Sequence, residues 1–129
     1  MVINMTQYQK YRQQSVTSLT SGEQIVLLFQ QACVNIAKAI DFIESKDING
    51  THNSIVKTEN IFNYLIDSLD MNYSISDDLF SLYNFITDRL LQANIKKDAT
   101  ILREVQPLVC ELRDTWKEAE LLSRSGIQR

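Results

Sequence analysis

From Ser21 onward, apolar and polar residues alternate with the period of a helix. Ile25, Leu28, Phe29, Ala32, Ile36, Ala39, Ile40 and Ile43 recur at three- and four-residue steps, which sets them on one stripe of a first helix. Ser21 can cap its start, and Gln24 completes a capping-box pattern. The polar break Ser45-Lys46-Asp47-Ile48-Asn49-Gly50 ends it, with Asn49-Gly50 as the turn signal. A second helix is expected from near Thr51 to about Met71-Asn72, with Ile55, Phe62, Leu65, Ile66 and Leu69 on one face. Ser76, followed by Asp77 and Asp78, predicts a third start, because a hydroxyl can cap and two acids suit the positive end of a helix dipole. Its stripe is Leu79, Leu82, Tyr83, Ile86, Leu90 and Ala93.

Asp98 can cap a fourth helix whose inward face reads Ile101, Leu102, Val105, Leu108, Val109, Leu112, Trp116 and Ala119. Pro107 falls inside it and removes a hydrogen bond to the carbonyl of Arg103, so a bend is expected at residues 103–107. Four amphipathic helices joined by short connections pack most simply as an antiparallel up-down four-helix bundle, an all-α fold. Residues 1–20 are polar, lack an apolar period and carry Tyr8 and Tyr11 as their only aromatics. They are expected to be an irregular or short-helical segment docking on a bundle of residues 21–124, with 125–129 as a frayed tail.

Composition narrows the class without changing the fold. Three Gly and one Pro in 129 residues are far below the usual share of roughly 12% for the pair, which leaves little room for a β-sandwich or a phosphate-cradling loop. Thirteen Lys and Arg against sixteen Asp and Glu give a net charge of −3, so no basic field attracts a polyphosphate backbone and no nucleic-acid partner is expected. No apolar run is expected to reach the roughly 18 residues a membrane span needs, so no membrane insertion is expected. The N-terminus lacks the charged start and apolar h-region of an export signal, and the location expected is the cytosol. Cys33 and Cys110, without CxxC spacing, read as free thiols rather than a structural disulfide.

Catalytic chemistry finds no foothold. His52 stands beside the Asn49-Gly50 turn without neighbouring ligands, and reads as a solvated helix end. Neither cysteine lies in a nucleophile motif, and Asp77-Asp78 is explained by the helix dipole. The ExxH motif of di-iron bundles is absent. No enzyme, cofactor or metal is expected. What remains is apolar surface beyond the core stripes. Leu27 and Val34 point almost opposite the first stripe, Ile61 and Tyr64 leave the second, and Phe80 and Leu91 share one flank of the third helix with Phe85 on the other. A bundle helix can bury more than one flank, and scattered exposed apolar residues are normal. A contiguous patch of several would mark a groove for a partner's amphipathic helices.

Ser68-Leu69-Asp70-Met71, Asp78-Leu79-Phe80-Ser81-Leu82-Tyr83 and Arg89-Leu90-Leu91-Gln92-Ala93-Asn94-Ile95-Lys96-Lys97-Asp98 closely resemble the flagellar export chaperones of the FliS family. Glu111-Leu112-Arg113-Asp114-Thr115-Trp116-Lys117-Glu118-Ala119 looks like that family's C-terminal signature, and Tyr11, Ser15-Val16 and the Ser21–Leu28 helix start match its opening. The similarity runs from about residue 8 to 120. Two departures stand out: Gly22 where the family usually has Pro, and Gln30-Gln31-Ala32 where it usually shows Tyr-Asp-Gly. Pro107 is also atypical.

The resemblance implies a cytosolic chaperone that binds the disordered C-terminal segment of flagellin, prevents premature polymerisation, and helps deliver it to the gate of the flagellar type III secretion apparatus. A monomer or weak dimer is expected. Tyr8 and Tyr11 match a tyrosine-containing segment that the family uses in client binding. With Leu27, Val34, Ile61, Tyr64, Phe80 and Leu91 they are the candidate partner-binding residues. The competing reading is a helical adaptor or self-associating structural bundle that uses the same flanks on its own copies.

Overall fold

The computed structural model describes residues 21–124; Tyr8, Tyr11 and the 125–129 tail lie outside them. The described chain forms four helices, α1 Ser21–Glu44, α2 Ile48–Asp67, α3 Ile75–Lys96 and α4 Ala99–Arg124. Each packs against its chain neighbour, and α4 closes back on α1. The order around the bundle is therefore α1–α2–α3–α4, with the α1–α4 seam opposite the α2–α3 seam. This is the up-down arrangement that four stripes with short connections predict.

The core is where the stripes meet. Phe29, Phe62 and Tyr83, from three helices, are fully or almost fully buried. Phe29 is the centre of their aromatic cluster, with ring centroids 6.2 Å from Phe62, 6.2 Å from Tyr83 and 6.4 Å from Trp116. Ile36, Ile55, Ile86, Leu90, Leu102, Val105 and Val109 extend the core along the bundle. Burial pushes the Tyr83 phenol above its ordinary value, and a hydrogen bond with Trp116 opposes this in part. Among the described residues every buried side-chain nitrogen and oxygen has a hydrogen-bond partner. Buried Thr58, for example, donates to Ser54 O at 2.9 Å.

The helix ends differ from the sequence expectation in identifiable ways. Asn49-Gly50 is not a turn: α2 starts at Ile48, and Asp47 caps it by accepting from Gly50 N at 2.8 Å. The reversal falls instead on Lys46, at φ 63°. Gly50 is needed for space, since an added Cβ would lie 2.7 Å from the Phe42 ring. At its other end α2 stops at Asp67, short of Met71, and Leu69 N bonds to Ile66 O at 3.2 Å, a tighter closing turn. Asp70 then closes a local turn by accepting from Asn72 N.

Ser76 is not the cap of α3. The helix begins at Ile75, and Ser76 is buried with its hydroxyl donating to Asp70 O at 2.6 Å. A bond back into the α2–α3 connection has taken the group that the sequence assigned to the helix start. Asp77 and Asp78 do fall in the first turn. Asp98 caps α4 as expected, accepting from Thr100 N at 2.9 Å, and α4 runs without interruption through exposed Pro107. Ala119, expected on the inward stripe, is exposed, because α4 extends past the end of the core there.

One further expectation fails. Among the described helices, α1 is by length and composition apolar enough to cross a membrane. Phe29, Ala32, Ile36, Ala39 and Ile40 on its inner stripe are buried in the bundle, as in the core helix of any bundle.

Candidate functional site

A groove of about 590 Å³ lies between the first three turns of α1 and the last turns of α4. Its apolar floor is Val26 and Leu27 from α1 with Leu121 from α4, and Leu27 remains 46% exposed. The rim carries both charges: Glu23, Asp114 and Glu120 against Arg113 and Lys117. Arg113 fixes one wall, donating from Nε to Asp114 Oδ1 at 2.9 Å and from Nη1 across the seam to Gln30 Oε1 at 3.1 Å. At the far end of the same seam Arg103 pairs with Glu44. An apolar floor between mixed charges suits an amphipathic helix whose edges carry charges of both signs.

Under this seam lie the two cysteines. Cys33 is buried and Cys110 half-buried, both as free thiols. Burial, helped by the neighbouring Cys110 thiol, pushes Cys33 up to about 12.

A second hollow, of about 220 Å³, sits at the end of the bundle where the chain enters α1. Ile25, Leu69, Leu79 and Trp116 line it, and the α2–α3 connection brings Tyr73 and Ile75 to its edge. Both of these are exposed, as is nearby Met71. A third hollow, at the opposite end, is bounded by Phe42, Ile48, Lys46 and Lys97. Beside it Asn94 joins two helices: its Nδ2 lies 3.0 Å from His52 Nδ1, and Lys97 Nζ donates to its Oδ1 at 2.6 Å. The ammonium claims Oδ1, so Nδ2 donates to His52 and the ring accepts at Nδ1. His52 is exposed. Glu59, two turns along α2, has its carboxyl pushed up by burial and pulled back in part by His52. Among the described residues no three His, Cys, Asp or Glu side chains group as metal ligands.

The candidate residues do not form one patch. Leu27 is in the α1–α4 groove; Val34 lies two turns further along the same flank, half-buried and beyond the lining. Phe80 and Leu91 share the flank of α3 that carries Asn94, and the bond from Asn94 to His52 turns that flank toward α2. They are exposed on the opposite side of the bundle from Leu27. Ile61 is half-buried and packs against the core, while Tyr64 is exposed on α2. Sequence reasoning passed over Val26, Arg113, Lys117 and Leu121. The α4 residues belong to a charged series that reads as a solvated face, and only the position of α4 beside the start of α1 makes it a groove wall.

The chain resembles known proteins over almost its whole length. Residues 4–122 match a family described as flagellar protein FliS. A "flagellar secretion chaperone FliS" from Bacillus subtilis is 35% identical over 87% of this chain and 84% of its own. One from Escherichia coli is 33% identical over 88% and 85%, and a FliSB from Pseudomonas aeruginosa is 28% identical over 87% and 91%. A solved structure described as a flagellar chaperone from bacteria superposes with a TM-score of 0.72 at 17% identity, over 89% of this chain and 95% of the other.

Proposed function

The chain belongs to the FliS family of flagellar secretion chaperones, a family of chaperones rather than enzymes, and on that footing we propose that it binds the disordered C-terminal segment of flagellin in the cytosol. Bound there, the segment is kept from premature polymerisation and carried to the flagellar type III export gate. The observation that carries this reading is the α1–α4 groove, with its apolar floor and two-signed rim. Flagellin's end segments form helices that bind their own kind in the filament, so a chaperone has to cover the same apolar stripes. A rigid bundle does this when the client folds along its grooves as amphipathic helices, giving up ordering entropy for a large covered surface. Release then needs no nucleotide, only a competing acceptor at the export apparatus.

Tyr8 and Tyr11, outside the described residues, are assigned to client exchange. Replacing both with Ala is expected to change client affinity by several-fold or more, and an unchanged affinity refutes that role.

The test is calorimetric titration of the protein with the last forty or so residues of the host's flagellin, at two temperatures, with circular dichroism alongside. One-to-one binding with a negative heat-capacity change and a gain of helix is the expected result. No heat and no helix gain from a well-folded bundle refutes the chaperone reading. Light scattering on the same samples tests its competitor, a self-associating adaptor, which would be a stable oligomer indifferent to flagellin.

A further inference from the structure

We propose that Cys33 and Cys110 form an oxidisable pair, a modification site at which a peroxide converts two thiols of the α1–α4 seam into one cross-link between the helices. The placement comes from the seam. Gln30 of α1 meets Arg113 of α4 across it at 3.1 Å. In an antiparallel pair, one turn forward on α1 lies opposite one turn back on α4, and those steps lead to Cys33 and Cys110. The Cys110 thiol is near enough to Cys33 to help raise its value. Neither is used in the groove lining or in the chaperone reading above, and among the described residues no third ligand group joins them to make a metal site.

Their environments divide the labour. Cys110 is half-buried and within reach of a small oxidant, whereas Cys33 is buried and held as a thiol. The Cys110 thiolate attacks one peroxide oxygen; the S–O bond forms, the O–O bond breaks, and the leaving hydroxide takes a proton and departs as water. Cys33 Sγ then attacks the sulfur of the Cys110 sulfenic acid. The S–S bond forms, the S–O bond breaks, and hydroxide leaves with the Cys33 proton as a second water. Two thiols lose two electrons in all, and one peroxide is reduced to two waters. The product ties α1 to α4 one turn beyond the end of the groove and closes a loop of about 77 residues, which favours the folded state.

The test uses the full chain and needs no client, so it stands or falls apart from flagellin binding. The purified protein is exposed to excess hydrogen peroxide, denatured, alkylated and peptide-mapped, which separates the cross-link from oxidation of methionines such as Met71. A linked Cys33–Cys110 peptide from monomeric protein is expected, with both thiols closed to alkylation, full reversal by dithiothreitol, and a melting temperature raised by about 5 °C or more. Cys110→Ser, a change at a half-buried position, is expected to leave Cys33 open to alkylation after the same treatment. The proposal is overturned if the wild-type protein accumulates sulfinic or sulfonic acid at Cys110 while Cys33 stays free. Cross-linking only between chains overturns it equally.

Discussion

Leu27→Asn puts the assignment of the α1–α4 groove to a quantitative test. Leu27 is 46% exposed at the floor of the groove, so an occupying helix would remove about half of a leucine's surface from water, a gain of about 1 kcal/mol. Asparagine forfeits that gain and places an amide under the client without an arranged partner, at a cost of about 1–3 kcal/mol. Being uncharged, it also avoids recruiting Arg113 or Lys117. Together these predict a loss of about 2–4 kcal/mol, or roughly 30- to 700-fold in Kd, read by calorimetric titration with the flagellin C-terminal segment. The fold should survive with a melting temperature only a few degrees lower, since the lost packing is partial and the lower helix propensity of Asn costs roughly 0.5 kcal/mol. Phe80→Asn is the matched control: Phe80 is 44% exposed but lies on the opposite side of the bundle, and its affinity should stay near wild type. Folded Leu27→Asn protein that binds within about twofold of wild type would refute the reasoning, as would a Phe80→Asn loss as large as that of Leu27→Asn.

Three further outcomes follow from the core, a cap and a carboxyl. Phe29→Ala empties a site with no exposure and three ring partners, so urea unfolding followed by the single tryptophan, Trp116, should show a loss of about 3–5 kcal/mol. Asp47→Ala removes the acceptor for Gly50 N and should cost about 1 kcal/mol in thermal melts, with the helix content of the folded state unchanged. Glu59 has its carboxyl pushed above the ordinary value by burial, so the folded state holds that proton more tightly than the unfolded chain. The stability that protonation adds is present at low pH and lost as pH rises through the folded-state value, so Glu59→Gln should raise the melting temperature at neutral pH. The gain over wild type should vanish on acidification; a gain constant across pH would exclude the carboxyl as its source.

The core was legible because burial leaves a periodic mark. All four stripes read at helical spacing contribute buried residues, and the burial that stabilises each helix is the same quantity the period records. Helix ends were less legible, since they depend on which of several local polar groups finds a partner elsewhere. Ser76 looks like a cap in sequence, yet its hydroxyl is committed to Asp70 O. Asn49-Gly50 looks like a turn, yet Asp47 draws Gly50 N into the first turn of α2. The groove was half legible. Leu27 departs from its stripe and could be singled out, but Arg113, Lys117 and Glu120 have no local oddity to mark them. They become a wall only because α4 runs back along α1, a fact of tertiary placement that no window of sequence contains.

That placement also sorts the positions where the chain departs from the usual pattern of its family. Apart from Pro107 on α4, they lie near the start of α1, but they face different neighbours. Ala32 is wholly buried in the core, where a methyl in place of glycine favours the helix and meets no client. Gln31 bonds within its own helix to Asn35 at 3.2 Å. Gln30 accepts from Arg113 and so helps set the groove wall. At Gly22 an added Cβ would run into the Glu120 carboxylate, so the bare backbone lets that acid close over the start of α1. The departures on the core side can alter only how firmly α1 folds. Those on the α4 side, Gly22 and Gln30, alter the shape and charge of the surface offered to a partner, through Glu120 and Arg113. If clients differ between members of this family, these two contacts are where this chain's preference is physically written.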